Sequence, residues 1–203
     1  MRHVQYIPRD RSEATTGITE TNKCIIGSDM ATALPGFHSF TGCDTTGRFV
    51  EKGKLTCWNT LQKAKTHVVK VFKLLGTTEM PFEDIVHCLE EYVCQLYSST
   101  TTANNVGKLR WQLFKRSQSE AEKLPPTIGA LRHHILRAHY QAMVWHHAGD
   151  AIPEVPSPDG YGWKRDGTHF VPIIASEKPG PEAVVELVRQ WFPNCGTRTT
   201  SGT

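Results

Sequence analysis

The stretch LPPTIGALRHHILRAHYQAMVWHHAG, residues 124–149, leaves the chain little choice of fold. Ile128, Leu131, Ile135, Ala138, Ala142 and Trp145 recur every three or four residues, a spacing that lines up along one helix face and would be scattered by a strand. Two prolines and a threonine cap precede it, and Gly149 is the expected stop. A helix of this length with one apolar stripe needs neighbours to cover it, and the preceding sequence supplies them. PFEDIVHCLEEYVCQLY has Pro81 at its start, acids in its first turn, and Phe82, Ile85, Leu89, Val93 and Leu96 on one face. TTTANNVGKLRWQLFKR gives a linker, an asparagine cap and a helix with Val106, Leu109 and Leu113 turned inward. Further upstream, IIGSDMATALPGFHSF reads as a helix through or up to Pro35, ended by Thr41-Gly42. A second helix is expected from Leu55 to Ala64, and HVVKVFKLL follows, closed by Gly76. The prediction is a mainly α body over residues 25–149.

The flanks read differently. Residues 1–24 suggest a short strand, MRHVQYI, ended by Pro8 and followed by a polar loop. Residues 150–192 are rich in proline and glycine, with a hairpin expected around Trp163 and Phe170. A short helix, PEAVVELVRQWF, comes next, and residues 193–203 read as a disordered tail. The 150–192 segment is expected to wrap back onto the helical body, with Trp163 as its plug. Trp58, Trp111, Trp145, Trp163 and Trp191 are read mainly as packing anchors. With 203 residues and a 38% hydrophobic share, the chain suits one or two globular domains. Cys24, Cys43, Cys57, Cys88, Cys94 and Cys195 show no CxxC spacing, so buried reduced thiols are expected rather than a disulfide framework or zinc site. The absence of a long apolar run and of a signal-peptide pattern points to an intracellular protein without membrane contact.

Charge is concentrated. Residues 48–73 hold seven bases (Arg48, Lys52, Lys54, Lys63, Lys65, Lys70, Lys73) against Glu51 alone. Such a stretch attracts phosphate, although it also describes a solvated helix face. It follows directly on FTGCDTTGRF, where Asp44 stands alone between small residues. A carboxylate so placed suits a magnesium ion that takes its other ligands from water and phosphate. Cleavage with two metals, however, needs several converging acids, and none adjoins Asp44 in sequence. Asp44 therefore reads first as a turn or cap residue. His133, His134, His139, His146 and His147 lack metal-binding spacing and read as solvent-facing or capping groups. His38 reads as a satisfied helix histidine, and Arg132 and Arg137 as surface charge. No phosphate-binding loop, nucleophile elbow or dinucleotide fingerprint is present.

LPGFHSFTGCDTTGRFVEKGK resembles the signature of a family of uncharacterised invertebrate proteins dispersed through genomes like mobile elements. LEEYVCQLY, LPPTIGALRHHILRAHYQAMVW, PSPDGYGWKRDG and KPGPEAVVEL are similar to that family's later blocks, in the same order. The signature itself resembles the Gly-Cys-Asp stretch and DNA-gripping helix–turn–helix of PIN-like flap endonucleases. The resemblance implies the helical C-terminal part of a PIN/flap-endonuclease-like α/β fold. Asp44 would then be a metal-binding aspartate, for Mg²⁺ or Mn²⁺ in intact relatives. Lys52, Gly53, Lys54, Lys63 and Lys65 would contact nucleic acid within a DNA-binding stretch 48–73, and the compartment would be the nucleus. Three departures stand out: the family's acidic strands precede the point where this chain starts, its cysteine-rich C-terminal segment is reduced to Cys195, and Glu51 replaces a glycine. The resulting expectation is a catalytically incomplete fragment with weak, non-specific DNA binding. The alternative is a helical protein-interaction or vestigial domain with no nucleic-acid role.

Overall fold

A computed structural model describes residues 26–77, 82–117 and 123–176. The strand and loop expected before residue 25, the helix expected near Trp191 and the tail lie outside the described residues. Six helices account for most of the structure: α1 (Ser28–Phe40), α2 (Lys54–Lys63), α3 (Thr66–Leu74), α4 (Phe82–Tyr97), α5 (Val106–Ser117) and α6 (Ile128–His146). An antiparallel hairpin follows, β1 (Trp163–Asp166) with β2 (His169–Pro172), pairing Trp163 with Pro172 and Asp166 with His169. The chain is mainly helical, and none of the described helices is long and apolar enough to cross a membrane.

Helix α1 is the central element and packs against both α3 and α6. It runs through Pro35 without stopping, although proline has no N–H to give the Ala31 carbonyl. Its buried face, Ala31, Ala33, Gly36, Phe37, Ser39 and Phe40, holds residues small enough to bring α3 close. A β-carbon at Gly36 would overlap the Phe72 carbonyl oxygen and lie 2.8 Å from Cβ of Leu75. Next to this close approach sits an aromatic cluster. Phe40 lies 5.2 Å from Phe49 and 5.6 Å from Phe72, and Phe72 lies 5.3 Å from Tyr92, mostly in the edge-to-face arrangements that ring quadrupoles favour. Buried Tyr92 donates its hydroxyl to the Cys57 carbonyl at 2.8 Å, so the polar tip is satisfied inside the core.

Helix ends follow the chemistry of their residues. Thr127 caps α6 by accepting from the Ala130 amide, and Asn105 caps α5 by accepting from Lys108. Glu90, buried on α4, adds a second cap to α5 by accepting the Val106 amide at 2.8 Å. Glu90→Ala should therefore leave a buried N–H without a partner and lower stability by about 1–3 kcal/mol in urea unfolding. Glu90→Gln, which keeps an acceptor oxygen, should recover most of that loss. Gly76, at φ +89°, ends the α3 region, and its N–H donates to Nδ1 of His139 on α6 at 3.0 Å.

Three sequence expectations need correction. Helix α6 ends at His146, with His147 as its C-cap, so Gly149 lies beyond the stop in a following turn. His134 and His139, expected to be solvent-facing or capping, are buried, at 9% and 8% exposure, and His134 meets the last carbonyl of α1. They share the inner face with Leu131, Ile135 and Ala142, and each satisfies a ring nitrogen against another segment. Trp111 is not a packing anchor. It is 38% exposed, because Val106 and Leu109 occupy the inner face of α5. The hairpin falls where expected and leans on α6: Arg137 donates to the Gly162 and Ile173 carbonyls and lies 5.9 Å over the Trp163 ring. Described free cysteines are buried (Cys57, Cys94) or half-buried (Cys43, Cys88).

Candidate nucleic-acid interface

The Gly-Cys-Asp segment is a tight turn fastened to the end of α1. The Thr46 hydroxyl donates to the Ser39 carbonyl at 2.6 Å, and the Cys43 amide donates back to Thr46 Oγ1 at 3.1 Å. Since Thr46 has one hydroxyl proton and gives it to Ser39, the Cys43 thiol, 3.2 Å away, is the donor in its contact with Thr46. Thr45 donates to Gln141 on α6, which ties the turn to a second helix. Phe49 then plugs into the core at 6% exposure. Most of the conspicuous motif is therefore occupied in holding the loop in place.

Asp44 is exposed within this turn. Among the described residues no group of three or more His, Cys, Asp or Glu side chains converges to hold a metal ion. Among the described residues Asp44 thus lacks the converging donors that would fit Mg²⁺ or Mn²⁺. Glu51, three residues before Lys54, adopts φ +58°, the left-handed region in which a β-carbon is disfavoured. That conformation suits the glycine which the resembling signature carries at this position.

Several bases of the 48–73 stretch have partners within the fold. Lys54 Nζ donates to the His38 carbonyl and to Thr41 Oγ1, both at 2.7 Å, so it caps the negative end of the α1 dipole. Lys65 pairs with Glu91 at 3.0 Å, and Lys73 pairs with Asp29 at 2.7 Å at the opposite end of α1. Lys52 lies 4.9 Å over the Tyr97 ring. Gly53 is the exposed N-cap of α2, and Lys63 is exposed at that helix's end. Lys54, Lys65 and Lys73 are therefore each engaged with a different part of the fold.

A different convergence appears next to Lys52. A cleft of about 340 Å³ opens between the 47–50 loop, α5 and α6, lined by Arg48, Arg110 and Arg137 together with Phe49, Tyr97 and His134. Arg48 is exposed, and neither it nor Arg137 has an ion-pair partner among the described residues. Burial lowers the pKa of Arg110 and Arg137, though a guanidinium is basic enough to stay charged in a protein. His134 is their opposite. Burial chiefly, and Arg137 after it, hold its pKa down to about 4, against the raising effect of its bond to Phe40. Neutral His134 donates from Nε2 to the Phe40 carbonyl at 2.7 Å. Nδ1 is then a lone-pair acceptor facing Gly47, 4.0 Å from where a β-carbon there would sit. Arg110 donates from Nη1 to the Pro125 carbonyl and Arg137 from Nη1 to those of Gly162 and Ile173, and the remaining N–H groups of the cleft arginines beside one neutral acceptor suit an oxyanion that carries its own proton or an adjoining N–H or O–H.

Beside Arg110 along α5, Trp111 and Phe114 stack at 6.2 Å with 20° between their planes. Lys115 lies 5.2 Å over the Trp111 ring. Sequence reasoning named neither the cleft nor this ring pair. The available signal was the acid-free run of α5, in which Lys108, Arg110, Lys115 and Arg116 interleave with Trp111 and Phe114. Comparison of the chain with protein-family models, with curated proteins and with solved structures found no match.

Proposed function

We propose that this chain is a nucleic-acid-binding helical module that holds backbone phosphates at the Arg48–Arg110–Arg137 cleft and does not itself cut the strand. The observation that carries this reading is one concave surface lined by three arginines, contributed by a loop and two helices. Guanidinium groups recognise phosphate through paired N–H donors, and a cleft concentrates their field. Lys52 and Lys123 sit at the same end of the molecule, the first over Tyr97 and the second 3.7 Å from Glu51. The resemblance to the helical part of PIN/flap-endonuclease-like proteins supports a nucleic-acid partner. In that reading Asp44 belongs to a metal site completed only in longer relatives, and DNA is the expected ligand.

Anisotropy of a labelled duplex, titrated at rising ionic strength, tests the proposal. Affinity should fall steeply with salt and be indifferent to base sequence. Arg48→Ala should weaken binding by about 3- to 10-fold and reduce the salt slope by about one counterion. Affinity that ignores ionic strength, or an Arg48 variant indistinguishable from the parent, would sink it. A protein-interaction role is the second reading, favoured by the intramolecular engagement of Lys54, Lys65 and Lys73. It gains if the duplex fails to bind at all.

A further inference from the structure

We infer that the exposed Trp111–Phe114 pair on α5 is a stacking platform for unpaired bases, so that the module prefers single strands to duplex. This rests on the phosphate-binding reading above and names the form of nucleic acid it takes. Large aromatic side chains left open to water need a reason. Trp111 and Phe114 are 38% and 42% exposed although the same helix buries Val106 and Leu109 almost completely. Their rings are nearly parallel, so a further flat ring can align with both.

Side chains on a helix lean over the preceding turn, so Trp111 lies toward Gly107, which adds no side chain beside the indole, and Lys115, one turn later, leans back over it. Charge supplies the choice of partner. Lys108 stands about 60° from Trp111 and Arg110 about 40° from Phe114 around the helix, and α5 contains no acid. Lys115 already lies over Trp111, within reach of a phosphate that flanks a base stacked there. An apolar peptide would gain from the rings but not from the cations, and an acidic peptide would gain little from ring planes. A single-stranded polyanion with flat bases uses both.

The platform also adjoins the cleft. At about 100° per residue, Phe114 stands about 40° from Arg110 around α5, and Trp111 about 60° further on. A strand whose phosphate rests at Arg110 thus meets Phe114 first and Trp111 next. In a duplex the bases are stacked on one another and cannot reach the rings without unpairing.

The test measures anisotropy of labelled oligothymidylate and oligouridylate about twenty nucleotides long, and of a duplex of matching length, with the full chain. The wild type should bind the single strands more tightly than the duplex. The Trp111→Ala, Phe114→Ala double variant should lose about tenfold or more on single strands while duplex affinity holds. Trp111→Phe should retain most of the single-strand affinity, and circular dichroism should show both variants folded. Comparing the thymidylate and uridylate strands tells whether DNA or RNA is the better source of the same chemistry, and a single-strand preference in either supports the platform. If the double variant binds single strands like the parent, or the wild type prefers duplex, the inference falls while salt-sensitive, Arg48-dependent binding keeps the phosphate reading alive. If no nucleic acid binds, both fall. A dimer in light scattering that disappears in the double variant would make the rings a contact between copies, and would overturn the platform.

Discussion

Gly36→Ala is expected to destabilise the protein by about 3 kcal/mol or more, a large part of the 5–15 kcal/mol that holds a typical domain together. Helix propensity alone predicts the reverse sign, since alanine in place of glycine inside a helix gains about 1 kcal/mol. The structure decides between them. A β-carbon there would overlap a backbone oxygen of α3, and backbone cannot step aside as a flexible side-chain end can. Either α1 and α3 separate, which loosens the contacts of Phe37 and Phe40 with Phe72, or α3 distorts. Urea unfolding measures it directly. A midpoint equal to or above the parent's would show that α1 and α3 leave room for a β-carbon at position 36.

Stability should also fall as pH drops from about 6.5 toward 4, by up to about 3 kcal/mol through His134 alone. The sign follows from proton uptake. In the unfolded chain His134 binds a proton near its ordinary value of 6.5, whereas in the core it resists protonation until about pH 4. Between those values the unfolded state holds more protons, so acid favours unfolding. His139 is lowered by burial as well and adds to the slope. The paired carboxylates Asp29, Glu83 and Glu91 are held below their ordinary values of 3.8, 4.5 and 4.5, so they add their loss at lower pH. Thermal melts at pH 7 and pH 5 would read the effect. His134→Gln keeps a donor for Phe40 and removes the titration, so it should flatten the profile in this window. An unchanged profile in that variant would assign the acid sensitivity to other groups.

The two histidines show where sequence reading stopped. His134 and His139 sit in a run with His133, Arg132 and Arg137, and a polar run on a helix reads as a solvent face. Only the placement of Phe40 and Gly76 opposite them makes their burial tolerable, because each gives a ring nitrogen a backbone partner. The partners of the lysines were hidden from the sequence for a related reason. Closeness along the chain says nothing about which acids or helix ends will lie within reach. Lys54 meets the end of α1, Lys65 meets Glu91 and Lys73 meets Asp29, and none of these partners adjoins its lysine in sequence.

What the amino-acid order determined by itself is local. Apolar spacing set six amphipathic helices, Thr127 and Asn105 set two of their starts, and Gly167 with flanking aromatic residues allowed the hairpin between β1 and β2. These depend on interactions within about one helical turn or one tight turn, and such interactions can be read from neighbours. The convergence of Arg48, Arg110 and Arg137, the burial of the histidines and the exposure of Trp111 and Phe114 depend on which helix faces meet. That choice was made by the close approach at Gly36 and the Phe40 cluster, through contacts between residues dozens of positions apart. It therefore exists only in the folded chain.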